Sequence, residues 1–180
     1  MEFKILPGQK VPQLKVALTG GGSYELGVEQ PEAFSLVVFY RGRHCPICKA
    51  YLEDLTGRLA AFAELGVAVV AVSMDPRERA MKTAEEWQVD GLRVGYNLTA
   101  EDARDWGLFV SEAAKDSEPP YFTEPALFLV RPDGTLFSQH VQNVPFARPQ
   151  WDDLLSGIKF ILENDYPLRG TVATRTHQSA

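Results

Sequence analysis

Residues 34–59 read FSLVVFYRGRHCPICKAYLEDLTGRL, and the reading of this stretch decides the fold. Ser35–Tyr40 is a continuous apolar run rich in β-branched and aromatic residues. Such a run predicts a strand buried on both faces, hence a central and parallel one. A basic turn follows, Arg41, Gly42, Arg43 and His44, and delivers Cys45 and Cys48, the only cysteines of the chain. Cys48, Leu52, Leu55, Leu59, Phe62 and Leu65 then recur at helical spacing, and Gly66 stands where a left-handed C-terminal cap belongs. Val67–Val72 is a second buried strand. Strand, helix, strand in this order predicts a right-handed crossover between parallel neighbours, and therefore an α/β architecture.

Outward from this unit, Leu14, Val16 and Leu18 alternate with other residues, and 19–23 form a glycine-rich turn. Tyr24–Leu26 can return as a short strand, which gives an N-terminal β-hairpin beside a central mixed sheet flanked by helices. On the other side, Asp75 can cap a helix that has Pro76 at its first position and Ala80, Met81, Ala84 and Trp87 on its stripe, stopping near Gly91. Leu92–Tyr96 reads as a short strand and Ala100–Trp106 as a short helix. The polar stretch 111–124, SEAAKDSEPPYFTE, reads as an exposed loop. Pro125 precedes a buried strand at Ala126–Val130. The turn at Arg131–Thr135 and the return strand Leu136–Val141 make a hairpin. After a Pro-rich connection, Trp151, Leu154, Leu155, Ile158, Ile161 and Leu162 mark a final helix. Trp87, Trp106 and Trp151 fall on helical stripes and are expected in the core. Residues 166–180 read as a mobile tail to a single domain spanning 1–180.

The chain has 180 residues, enough for one sizeable core. Its net charge of −6 argues against nucleic acid or an anionic membrane as a partner. No apolar run approaches the ~20 residues of a transmembrane helix, and the N-terminus lacks the pattern of a signal peptide. The cytoplasm is the default compartment.

Cys45 falls near a helix cap, where unpaired backbone N–H groups and the helix dipole favour an anion, and Arg41, Arg43 and His44 add positive charge nearby. These stabilise the thiolate, so Cys45 is expected to ionise below the usual ~8.5 and to be the nucleophile. Cys48, one turn inside the helix, faces Cys45 and is within reach of a disulfide; it would be the resolving thiol. Pro46 suits the first turn. A loop this short restrains the unfolded chain little, so a Cys45–Cys48 bridge has redox rather than structural value. The competing readings are two inert buried cysteines or a zinc site. A structural zinc site wants four ligands, and neither a second cysteine pair nor suitably spaced histidines are present. His44 can assist proton transfer or can be a solvated turn residue. Pro125 enters a buried strand at the expense of a ladder hydrogen bond. A cis peptide after Glu124, docking an extended substrate beside the dithiol, would account for it; so would an ordinary edge proline.

The stretches VVFYRGRHCPIC (37–48), VVAVSMD (69–75), YNLTAEDARDWGLF (96–109) and EPALFLVRPDGTL (124–136) together resemble the thioredoxin-like superfamily, and within it the alkyl hydroperoxide reductase/thiol-specific antioxidant (AhpC/TSA) family of peroxiredoxin-like proteins. The likeness spans about residues 10–165. It implies a thioredoxin-like fold, a dithiol–disulfide cycle with Cys45 nucleophilic and Cys48 resolving, and Pro125 at the position of the thioredoxin-type cis-proline. Typical members carry a threonine three residues before the peroxide-attacking cysteine, where Gly42 stands, and an arginine near the start of the late strand, where Pro125 aligns. Arg41 or Arg43 can substitute for that arginine; nothing supplies the hydroxyl. The C-P-x-C pair and Pro125 lean towards disulfide exchange rather than efficient peroxidase chemistry.

The expected function is a thiol-dependent oxidoreductase of antioxidant type, acting on a disulfide or peroxide substrate and regenerated by a thiol reductant such as a thioredoxin-type protein. It needs no bound cofactor. The alternative is a redox-sensing interaction protein whose disulfide state controls partner binding through the 111–124 loop and the tail. The sequence leaves the oligomeric state open, a homodimer included.

Overall fold

The structure, a computed structural model, describes residues 5–173. In chain order the elements are β1 (Lys15–Leu18), β2 (Ser23–Glu25), β3 (Phe34–Phe39), α1 (Pro46–Thr56), α2 (Leu59–Glu64), β4 (Val67–Val72), α3 (Arg77–Glu86), β5 (Arg93–Tyr96), α4 (Ala100–Asp105), β6 (Val110–Glu112), β7 (Tyr121–Thr123), β8 (Ala126–Val130), β9 (Leu136–Val141) and α5 (Trp151–Glu163). Seven strands form one mixed sheet in the order β2-β1-β5-β4-β3-β8-β9, and β6 pairs with β7 in a separate ribbon.

β3 is central, as its uniformly apolar sequence predicts. It runs parallel to β4 in the register Phe34↔Val67 to Phe39↔Val72, and antiparallel to β8 in the register Ser35↔Val130 to Phe39↔Ala126. All six of its residues are buried. Alternate residues feed opposite layers. Leu36 and Val38 join Leu52, Leu55, Phe62, Trp151 and Ile158 under α1, α2 and α5. Val37 and Phe39 join Val16, Tyr24, Trp106 and Phe128 under α4 and the N-terminal segment. Each large apolar side chain fully withdrawn from water contributes about 1.5–3 kcal/mol, so both layers anchor the strand that leads into the cysteine turn.

Several local expectations are corrected. The helix after the cysteines is two helices, not one. Gly57 favours helical geometry poorly, and the backbone tightens there with Arg58 N–H donating to Leu55 O at 2.9 Å. The Arg58 guanidinium then bonds Asp152 of α5 at 2.7 Å, so the break is held by a neighbouring helix. Asp75 does not cap α3. Pro76 occupies the cap position without a side-chain bond, because the Asp75 carboxylate is turned towards the cysteine turn. Residues 111–124 are not simply an exposed loop. Their ends form the β6–β7 ribbon, which packs Phe122, Thr123 and Glu124 into the interior. Leu162 of α5 is exposed rather than part of its apolar stripe.

The Glu124–Pro125 peptide is trans, as are all peptide bonds among the described residues. Phe39↔Ala126 is the last β3–β8 pair, which brings Pro125 to the level of Tyr40. The Tyr40 carbonyl takes its hydrogen bond from the Thr123 hydroxyl at 3.2 Å, so no N–H is required from residue 125. On the far side the Pro125 carbonyl accepts from Gln142 N–H at 3.0 Å. The three tryptophans are buried as expected. Within the segment expected to be a tail, Leu168 packs against the core and Arg169 lies over the Tyr166 ring; residues 174–180 of it lie outside the described residues.

Candidate active site

Both cysteines sit where β3 passes into α1. Cys45 is the N-cap of α1, and its sulfur accepts a hydrogen bond from Cys48 N–H at 3.2 Å. Pro46 takes the first helical position, where its missing N–H costs nothing. The turn is closed by Cys45 N–H donating to Gly42 O at 3.1 Å and Lys49 N–H donating to Cys45 O at 3.0 Å. The two thiols are free and buried, with 2% of Cys45 and none of Cys48 exposed, whereas Ile47 between them is 43% exposed. Ile47 is thus the member of the C-P-I-C turn that faces solvent as a large apolar surface. There a groove of about 400 Å³ is lined by Ile47, Tyr51, Phe146 and Arg148, among others.

The pair is electrostatically asymmetric. The Cys45 thiol is brought down to about 6, chiefly by a hydrogen bond from the Cys48 thiol. Cys48 N–H and the charges of Arg41 and Arg148 add to this, and burial opposes it. Cys48 is pushed well above the ordinary thiol range by the same hydrogen bond, by burial and by the negative charge of Cys45. One proton is thus shared unequally between two sulfurs, with the anion on Cys45.

Gly42 and Asp75 shape the turn that carries Cys45. Gly42 has φ +114°, and a Cβ there would meet the Asp75 carboxylate at 2.7–2.8 Å. That carboxylate is fully buried, accepts from Arg43 N–H at 2.7 Å, and pairs with Arg79 Nε at 3.1 Å. A threonine at position 42 is therefore excluded by Asp75 as well as absent from the sequence.

The remaining sequence candidates are distributed unevenly. Arg41 lies beside the pair; its guanidinium is 4.5 Å from the Phe122 ring centre and within 3.3 Å of Glu124 and 3.4 Å of Glu118. Glu124 also accepts from the Ser111 hydroxyl at 2.6 Å. The ribbon and its loop thus clamp Arg41 between two carboxylates. Arg43 contributes its backbone N–H to Asp75, while its guanidinium pairs with Glu86 of α3. His44 packs edge-on against Phe122, with ring centres 4.6 Å apart. Burial and the Arg41 charge lower its pKa, which keeps the imidazole neutral near pH 7. Pro125 flanks the end of β3 in trans form.

Arg148, Glu118, Glu124 and Asp75 are site residues that the sequence did not reveal. Arg148 arrives from the connection between β9 and α5 and is 8% exposed. Its Nη2 donates to Ile47 O at 3.1 Å, its Nη1 lies 3.9 Å from Cys48 Sγ, and its guanidinium stacks 4.0 Å from the Tyr51 ring centre. The only sequence signal for it is a lone arginine in a Pro-rich connection. Glu118 and Glu124 were hidden in a stretch whose polar composition reads as solvated.

Among the described residues no group of three or more His, Cys, Asp or Glu side chains is placed to hold a metal, and no helix is long and apolar enough to cross a membrane.

A thiol at a helix N-cap and a second thiol one turn on place a cysteine pair at the strand-to-helix junction of a thioredoxin-like fold. Residues 7–138 match the AhpC/TSA family, and the chain belongs to that family, whose members have a thiol-dependent redox role. The fold is that of solved peroxiredoxins. Peroxidoxin BcpB from Mycobacterium tuberculosis superposes with a TM-score of 0.70 at 18% identity, covering 87% of this chain and 98% of that one. For AhpC from Enterococcus faecalis the values are 0.71, 19%, 91% and 98%. For the reduced 2-Cys peroxiredoxin of Plasmodium vivax they are 0.72, 18%, 88% and 83%. No curated protein matches the chain in sequence.

Proposed function

We propose that the protein is a thiol-dependent oxidoreductase of antioxidant type, in which Cys45 is the nucleophile and Cys48 the resolving thiol. The observation that carries this reading is geometric: the Cys45 sulfur caps α1 and accepts from Cys48 N–H at 3.2 Å, with the second thiol one helical turn on, an arrangement that lowers Cys45 and raises Cys48. In the first step the Cys45 thiolate attacks one sulfur of a disulfide, forming a mixed disulfide and expelling the other sulfur as thiolate. In the second step Cys48 loses its proton and attacks the Cys45 sulfur, which closes the Cys45–Cys48 disulfide and releases the second substrate thiolate. Two electrons from an external thiol donor, such as a thioredoxin-type protein, restore the dithiol.

Disulfide exchange is favoured over peroxide reduction by the Gly42–Asp75 contact, which leaves no room for a hydroxyl-bearing side chain at position 42, and by the two carboxylates that pair with Arg41. Family membership favours the second reading, a peroxidase. There Cys45 attacks the terminal peroxide oxygen, an alcohol or water leaves, and Cys48 condenses with the resulting sulfenic acid with loss of water. Turnover of a protein disulfide and of hydrogen peroxide, each with a thioredoxin-type regenerating system, decides between them. Disulfide turnover is expected to dominate, and Cys45→Ser is expected to abolish both. Equal turnover in Cys45→Ser overturns the reading.

A further inference from the structure

We infer that Arg148 is the catalytic cation of the resolving step, stabilising the Cys48 thiolate as it attacks the sulfur of Cys45. The inference rests on the dithiol reading above and goes beyond it, because it gives the resolving step a cation of its own, held at the Cys48 sulfur.

Arg148 has the placement for this role. Its Nη1 lies 3.9 Å from Cys48 Sγ, and its Nη2 is tethered to Ile47 O at 3.1 Å. The guanidinium lies over the Tyr51 ring at 4.0 Å, and the residue is buried. Among the described residues no carboxylate lies within ion-pair distance of it, whereas Arg41 is shared between Glu118 and Glu124 and Arg43 pairs with Glu86. The connection is built to deliver this side chain. Gln142 Nε2 donates to Phe146 O at 3.3 Å and Ala147 O at 2.8 Å, and Ala147 holds a left-handed φ of +58° immediately before Arg148.

The chemistry leans on this cation most after the first step. In the reduced protein Cys48 is kept protonated first by its hydrogen bond with Cys45, then by burial and by the Cys45 charge. Once Cys45 is bonded to a substrate sulfur, its charge is gone and it no longer competes for the proton. Burial remains, opposed by the Arg148 charge and by the Arg41 backbone N–H. The other titratable groups facing Cys48 are Cys45 from its own helix and Tyr40 from the end of β3, and Tyr40 is held neutral by burial. Arg148 is thus the side-chain cation left to favour the second thiolate. As Cys48 ionises, its proton passes to solvent, the Cys48–Cys45 S–S bond forms, and the S–S bond to the substrate breaks with the electron pair leaving on the substrate sulfur.

An opposite charge at this range shifts a thiol by about 1–3 pH units. A thiolate's nucleophilicity falls with its pKa, which offsets roughly half of the gain in thiolate fraction. Removing the cation should therefore slow resolution about tenfold.

The test follows both steps on the full chain with 5,5′-dithiobis(2-nitrobenzoate), which releases one thionitrobenzoate when Cys45 is modified and a second when Cys48 resolves the adduct. Arg148→Met is expected to slow the second release about tenfold and to move its pH midpoint upward, with a smaller effect on the first. Arg148→Lys, which keeps the charge and gives up the planar fork, is expected to restore most of the second rate. Loss of the second rate to the same extent in Met and Lys variants would assign Arg148 to packing and overturn the inference, as would an unchanged second phase in Arg148→Met. Absence of the second release in the unsubstituted protein is a different outcome, which overturns the dithiol reading and this inference with it.

Discussion

Replacing Cys48 with alanine tests the source of the Cys45 thiolate directly. The largest influence lowering Cys45 to about 6 is the hydrogen bond from the Cys48 thiol, ahead of the Cys48 N–H bond and of Arg41 and Arg148. A hydrogen bond to a charged group contributes about 1.5–3 kcal/mol, and 1.36 kcal/mol corresponds to one pH unit. Cys48→Ala should therefore raise the Cys45 midpoint to roughly 7–8. At pH 6.5 the thiolate fraction would fall from roughly 75% to roughly 10%. The assay is the rate of Cys45 alkylation by iodoacetamide between pH 4.5 and 9.5, with the variant's single cysteine removing any ambiguity of site. Cys48→Ser, whose hydroxyl can still donate, should titrate between the other two. If Cys48→Ala titrates with the unsubstituted protein at about 6, the thiol–thiolate hydrogen bond is not what holds Cys45 ionised, and the cap N–H and arginines must suffice.

Three further outcomes follow from the same geometry. Gly42→Ala combines a left-handed backbone with a Cβ 2.7 Å from Asp75, and should cost about 2–4 kcal/mol in chemical denaturation; an unchanged midpoint of unfolding would show that the Asp75 contact is not tight. Trp151→Ala removes a buried ring whose Nε1 donates to Tyr51 O at 3.0 Å, and should cost about 3–5 kcal/mol, read as a lowered thermal midpoint. The pH dependence of stability carries a defined sign. Cys45 ionises at about 6 in the folded chain, below its unfolded value of ~8.5, so its contribution is fully present above ~8.5 and lost as pH falls through 6. Urea unfolding of the reduced protein at pH 5.5 and 8.0 should show a gain at the higher pH that shrinks in Cys45→Ser.

Much of this architecture was legible because it depends on short-range periodicity. β4, β8 and β9 occupy the residues that their apolar pattern marks, and the two faces of β3 feed two layers because side chains alternate along any strand. The chain by itself also determined that the only two cysteines stand three apart at the junction of a buried strand and an amphipathic helix. That arrangement follows from local rules: a strand end, a proline at the first helical position and a helix start.

What the tertiary structure alone decided is which distant groups surround those cysteines. Arg148 is a hundred residues from Cys48 in sequence and under 4 Å from it in space. Glu124 and Glu118 reach Arg41 only because the β6–β7 ribbon folds across the turn. Asp75, which local pattern marks as a helix cap, is drawn instead to the space that Gly42 leaves. The Tyr40 carbonyl beside Pro125 takes its hydrogen bond from the Thr123 hydroxyl, a partner that the β6–β7 ribbon brings in. In each case a buried polar group must find a partner, and which partner is near depends on long-range packing that no local pattern records. The sequence therefore determined the nucleophile and its resolving partner as candidates, and the fold determined the charges that surround them.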